Sequence, residues 1–159
     1  MWKKKLDELL PLFGHRNWIV IADKAFPLQT ATGITMLDTG EPLSVVLNHT
    51  LEKIDAATHL KPVVTLDQEL DHMTNDLIMD VDKICREIKI TVIRATNEQP
   101  RVIPHEEALK ELDAASKLFQ VLVLKTESLI PYTSVFIELD CGYWEERKEM
   151  QLRKQMESE

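Results

Sequence analysis

Short apolar runs alternate with amphipathic stretches along this chain, and that alternation constrains its fold more than any other feature. The first run, NWIVIAD at 17–23, is continuous and ends in an acid, which is typical of a strand buried on both faces. Similar runs predict four more strands, at 62–66, 88–96, 119–126 and 134–140. Strands separated by helices favour an α/β fold: a single three-layer domain with a mostly parallel sheet flanked by helices.

Between these runs, apolar residues recur at the three- and four-residue spacing of one helix face. This spacing predicts helices over 2–13, ended by Gly14, and over 42–54. A third helix is expected to be capped by Asn75 and to continue towards the run at 88–96. A fourth is expected to begin at Pro104.

Residues 24–42 show no sustained apolar period and include Pro27, two glycines and Pro42. This composition predicts a long loop directly after the first strand. Loops of this length in small domains are usually functional. Ligands of parallel α/β sheets also collect at the carboxyl ends of the strands, so the loop is a candidate wall of a binding site.

Composition limits the size of the protein and its class of partner. With 159 residues, 44% of them hydrophobic, the chain allows one domain with a real core. Its net charge of −8 argues against nucleic acid and anionic membranes, because both attract basic surfaces. No apolar run approaches the roughly 20 residues that a membrane-spanning helix needs.

The scattered glycines, cysteines and histidines exclude other kinds of site. The 4 glycines are isolated, so no glycine-rich phosphate loop can be assembled. The 2 cysteines form no CxxC pair and no signal-like segment opens the chain, so we expect a cytoplasmic protein. His49, His59 and His72 lack the spacing of zinc ligands, so we do not expect a metal.

His15 and Asp23 flank the first strand and are the first candidates for chemistry. His15 is either a general acid–base group near neutral pH or a histidine that ends a helix beside its carbonyls. Asp23 either contacts a ligand at the strand end or caps the turn that follows. An extended strand would hold the two about 25 Å apart, so they would meet only if His15 folds back or serves a neighbouring subunit's site.

Two later segments carry further candidates. His105 lies in the first turn of a predicted helix, where its imidazole either faces a site or is solvated. Tyr132, Thr133 and Ser134 precede the last strand and offer a phenol and two hydroxyls, which by themselves are ordinary turn chemistry.

Three segments together resemble the D-ribose pyranase and L-fucose mutarotase family. GHRNWIVIADKAFP at 14–27 is similar to its pattern of Gly-His, an apolar strand, Asp and Pro. GITMLDTGEP at 33–42 is similar to a family loop, and LVLKTESLIPYTSVFIEL at 122–139 to its sugar-binding block. The order and spacing of the three segments agree, so the resemblance covers roughly residues 5–142. It implies a domain at 1–142, with 143–159 as a charged helical extension.

The resemblance implies a cofactor-free isomerase that interconverts anomers or ring forms of a free monosaccharide such as ribose or fucose. It implies His15 as the proton donor. The implied sugar-binding residues are Asp23, His105, Tyr132, Thr133 and Ser134. It also implies a ring-shaped homo-oligomer, an octamer or decamer, whose sites form between subunits, and this would bring His15 to a neighbour's Asp23.

This sequence departs from the family pattern at two functional positions. Ser134 stands where the family commonly has asparagine, and a hydroxyl reaches less far than an amide. The Thr/Ser-Gly-Glu element is replaced by Lys125, Thr126 and Glu127, without its glycine. The alternative is therefore a non-catalytic monosaccharide-binding or regulatory protein on the same scaffold.

Overall fold

A computed structural model describes residues 1–158 of the chain. The helices are α1 (Trp2–Leu9), α2 (Leu43–Ala56), α3 (Gln68–Asp71), α4 (Val81–Thr96), α5 (His105–Ser116) and α6 (Glu146–Glu157). The strands are β1 (Trp18–Ala22), β2 (Ile34–Asp38), β3 (Leu60–Asp67), β4 (Arg101–Ile103), β5 (Val121–Lys125) and β6 (Val135–Cys141).

All six strands form one sheet in the order β2-β5-β1-β6-β3-β4. Neighbouring strands are parallel, except that β6 runs antiparallel to both β1 and β3. This confirms the expected α/β domain with a mostly parallel sheet. The reversed β6 has a functional consequence, because the start of β6 lies beside the ends of its neighbours.

Helices cover both faces of the sheet, which explains why the central strands are apolar throughout. In β1, Ile19 and Ile21 pack into the core that α1, α2 and α4 complete. Trp18, Val20 and Ala22 point to the opposite face and pack against α5. Because side chains alternate across a strand, a strand covered on both faces needs no polar positions.

The strand predicted at 88–96 is wrong, because these residues form the second half of α4. The run is rich in β-branched residues, which favours a strand when it is considered alone. Ile88 and Val92, four apart, are buried, whereas Ile90 is exposed, so the segment follows a helical period. The helix also begins later than predicted, although the Asn75 side-chain oxygen does accept from the Asp82 backbone N–H.

The prediction of an uninterrupted loop over 24–42 is also wrong, because this segment contains β2. β2 is an edge strand paired in parallel only with β5, and its residues are half-buried or exposed. The other edge strand, β4, has three residues and was missed as well. Edge strands lack neighbours on one side and so lack the long apolar runs that identify the central ones.

The C-terminal helix stands apart from this core. α6 has no buried residue, and its exposed side chains include Met150, Leu152 and Met156. Residue 159 lies outside the described residues. None of the helices described over 1–158 has the length and apolar character needed to cross a membrane.

Candidate functional site

The chain direction of the strands places polar side chains together at one edge of the sheet, the edge at which the parallel strands end. Asp23 follows β1, Asp67 ends β3, and His105 begins α5 directly after β4. Because β6 is antiparallel to β1 and β3, its leading residue Ser134 reaches the same edge. We call Asp23, Asp67, His105, Tyr132 and Ser134 the carboxyl-edge cluster.

Asp23 and Ser134 form a closed pair between neighbouring strands. The Ser134 hydroxyl donates to Asp23 Oδ1 at 2.6 Å and lies 3.2 Å from the Asp23 backbone N–H, which donates to it. Ser134 is almost completely buried, whereas Asp23 is only partly buried. Ser134 thus fixes one oxygen of the Asp23 carboxylate directly. The other carboxylate oxygen of Asp23 lies outside this pair.

His105 and Asp67 form a second pair. The Nδ1 atom of His105 lies 2.8 Å from Asp67 Oδ2, and the His105 backbone N–H donates to the Glu69 carboxylate at 2.9 Å. The Asp67 side chain is fully buried, whereas 23% of the His105 side chain is exposed. The other carboxylate oxygen of Asp67, Oδ1, is buried without a hydrogen-bond partner.

Burial raises the pKa of Asp67 to about 6, because the charged carboxylate has lost its water. The imidazole of His105 opposes this rise, while the carboxylates of Glu69 and Asp23 add to it. Asp67 is therefore a carboxyl group whose protonation changes close to neutral pH. Groups of this kind concentrate at functional sites.

Tyr132 and Thr133 behave differently from each other. Tyr132 has a left-handed backbone, φ 64°, and its ring contacts that of His105 edge-on with centroids 5.5 Å apart. Thr133 is buried, and its hydroxyl donates to the Ile130 carbonyl at 2.7 Å and lies 3.0 Å from the Ser128 hydroxyl. Tyr132 therefore belongs to the surface of the cluster, whereas Thr133 holds the loop beneath it.

His15 lies at the opposite edge of the sheet. It precedes β1, and its Nδ1 atom is 2.7 Å from Asp140 near the end of β6. The side chain is 54% exposed. Within one chain the structure thus separates His15 from the carboxyl-edge cluster, as the length of the first strand predicts.

A cavity of about 460 Å³ adjoins the cluster and is lined by residues that include Asp23, Lys24 and Ser128. Lys24 Nζ donates to Glu127 at 2.9 Å and lies 3.5 Å from Asp38. The Glu127 hydrogen bond is the main reason why the pKa of Lys24 is raised. Within residues 1–158, no group of three or more potential metal ligands comes together.

No protein-family model and no curated protein matches this sequence. Its fold, however, matches solved structures. RbsD of Bacillus subtilis, solved with D-ribose, has a TM-score of 0.59 and 18% identity over 86% of this chain and 91% of that one. The fucose mutarotase of Streptococcus pneumoniae, solved with L-fucose, has a TM-score of 0.59 and 15% identity over the same shares. FucU of Bifidobacterium longum has a TM-score of 0.54 and 19% identity, over 86% and 94%.

The chain has the RbsD and fucose mutarotase fold. This confirms, for the fold, the resemblance that the three sequence segments carry. Within the RbsD fold of this chain, two acids at the site have no counterpart among the predicted residues: Asp67 of the cluster, and Glu69, which accepts from the His105 backbone N–H. A signal was present for Asp67: like Asp23, it is an acid directly after an apolar run, at the carboxyl end of a parallel strand.

Proposed function

We propose that this protein is a cofactor-independent monosaccharide mutarotase or pyranase. The observation that carries the proposal is the carboxyl-edge cluster, which brings together two carboxylates, an imidazole, a phenol and a hydroxyl and in which Asp23 lines a cavity. Adjacent sugar hydroxyls both donate and accept hydrogen bonds, and this donor and acceptor set can satisfy them. Two of the structural neighbours were solved with monosaccharides.

Interconversion of sugar ring forms needs two proton transfers. One proton is added to the ring oxygen and one is removed from the anomeric hydroxyl, while the bond between the anomeric carbon and the ring oxygen breaks. The product is the open-chain sugar, which closes again in another ring form. Groups that titrate near the working pH do this best, and histidine meets the requirement.

In this proposal His15 protonates the ring oxygen, and Asp23 binds and polarises sugar hydroxyls. Tyr132, Ser134 and His105 contact the remaining hydroxyls, and Thr133 supports the loop that carries them. His15 reaches the sugar from a neighbouring protomer in a ring-shaped homo-oligomer, an octamer or decamer. The exposure of His15 supports this arrangement, because a group on an open edge is available to a second subunit.

Exchange NMR tests the activity directly. We expect the wild type to accelerate exchange between the ring forms of at least one pentose or hexose, with ribose and fucose tested first. His15→Ala should slow the accelerated rate by about 100-fold, because it removes the proton donor. The control is His72→Ala, since His72 is an exposed histidine outside the cluster.

Equal acceleration by His15→Ala and the wild type would refute the role of His15. A sugar that binds without accelerated exchange would instead identify a non-catalytic binding protein. Thermal shift detects such binding, because a ligand specific to the native state raises the apparent stability.

We further propose that residues 1–142 form the sugar-converting unit and that 143–159 are a dispensable extension. Because α6 buries none of its residues, removing 143–159 should change the free energy of unfolding by no more than about 0.5 kcal/mol. Urea denaturation of both proteins measures this difference. A larger loss would mean that the extension stabilises the fold.

A further inference from the structure

Asp67 is the buried acid of the carboxyl-edge cluster, and the proton transfers described above give it no role. Its side chain is fully buried at the end of β3. Within residues 1–158 its side chain hydrogen-bonds only with His105, whose ring also contacts the ring of Tyr132. A residue placed behind another in this way acts on the reaction through that neighbour.

The proposed reaction also lacks a base. His15 supplies the proton for the ring oxygen, but a second group must accept the proton of the anomeric hydroxyl. His105 is partly exposed at the cluster, and its Nδ1 atom is already engaged by Asp67. An ionised carboxylate accepts hydrogen bonds only, so Nδ1 of His105 carries the proton and Nε2 carries the free lone pair.

We propose that Asp67 is a positioning residue that fixes this tautomer of His105, so that His105 Nε2 is the general base for the anomeric hydroxyl. The inference rests on the proposed sugar-converting function and assigns its second proton-transfer group. When Nε2 takes the proton, the imidazolium forms 2.8 Å from the Asp67 carboxylate, which stabilises the new charge. The proton returns to the sugar when the ring closes again.

The groups around Asp67 support this role. Burial disfavours its charged form, and the carboxylates of Glu69 on α3 and Asp23 after β1 oppose the charge further. Of the groups that act on it, only His105 on α5 favours the charge. Its second oxygen has no hydrogen-bond partner. If this position only had to be filled, an uncharged side chain would be sufficient. The carboxylate is therefore best explained by its hydrogen bond with the imidazole of His105.

Asp67→Asn tests the inference, because asparagine has the same shape without the charge. We expect its maximal exchange rate to fall by about 100-fold. The acid limb of its pH–rate profile should also move to lower pH, since asparagine removes the carboxyl group that titrates at about 6 beside the imidazole. The control is Asp71→Asn, the same change on the next helix, where the carboxylate pairs with Lys89 on the surface. We expect the acid limb of the Asp71→Asn pH–rate profile to lie at the same pH as that of the wild type.

Nitrogen NMR of the His105 ring provides a readout that does not depend on activity. We expect the wild type to carry its proton on Nδ1 at pH 7.5 and Asp67→Asn to show a mixture with the Nε2–H tautomer. An Nε2–H tautomer in the wild type would overturn the inference even if Asp67→Asn failed to fold.

The outcomes separate the inference from the proposed function. If the wild type accelerates exchange and Asp67→Asn lowers the rate equally at every pH with the tautomer unchanged, the function stands and the role of Asp67 is refuted. If the wild type accelerates the exchange of no sugar, the proposed function fails and the assignment of His105 as a base fails with it.

Discussion

Replacing Gly33 by alanine is expected to lower the free energy of unfolding by about 3 kcal/mol. A Cβ atom at this position would overlap the carbonyl oxygen of Ser116 and lie 3.4 Å from that of Phe119. Both are backbone atoms, one at the last residue of α5 and one just after it, so no side-chain rotation relieves the clash. The Gly33 carbonyl also accepts from the Val121 N–H at 2.8 Å, which prevents the segment from moving away.

Gly14→Ala is the matched control for this prediction. No heavy atom lies within 4 Å of a Cβ built at Gly14, and its backbone is not left-handed. We expect its unfolding free energy to stay within about 0.5 kcal/mol of the wild type or to rise slightly, because alanine restricts the unfolded chain. Urea denaturation of both variants measures the contrast. Equal midpoints would show that Gly33 does not approach α5 as closely as the structure has it.

The central strands were predictable because burial on both faces leaves a continuous apolar run. β1, β5 and β6 all lie inside the sheet, and each overlaps a run identified from the sequence. β2 and β4 form the two edges, where a partner on one side only relaxes this requirement. The strand prediction at 88–96 fails because β-branched residues favour a strand locally, whereas the buried residues of this segment follow a helical period.

The candidate site likewise contains residues that a local sequence pattern identifies and residues that are identified only by tertiary packing. Asp23 was recognised because its place at a strand end is visible in the sequence. The separation of His15 from Asp23 followed from the length of one strand. The importance of Asp67 depends on its burial and on contact with His105, 38 residues away, and both arise only when β3, β4 and α5 pack together. The place of Asp67 after an apolar run is visible in the sequence, but its burial and this contact are not.

A loss of activity as large as that of His15→Ala is expected from Asp23→Asn, which should lower the accelerated exchange rate by about 100-fold. The amide keeps an oxygen for the Ser134 hydroxyl, so the fold is retained. It loses the charge, and hydrogen bonds to a charged acceptor contribute about 1.5–3 kcal/mol. Exchange NMR at saturating sugar, with circular dichroism as the check on folding, measures this loss. Unchanged exchange would remove Asp23 from the proposed site.

The same variant decides whether the site is shared between subunits. If His15 of one protomer serves the cluster of its neighbour, mixed oligomers of His15→Ala and Asp23→Asn chains should recover about one quarter of the wild-type rate, because that fraction of sites receives both intact residues. Mixed oligomers of Asp23→Asn and His105→Ala are the control. Asp23 and His105 belong to the cluster of one chain, so every site in that mixture keeps one defect and no recovery is expected. Recovery in the control, or none in the first mixture, would contradict the shared site, since only residues from different chains can complement each other in this way.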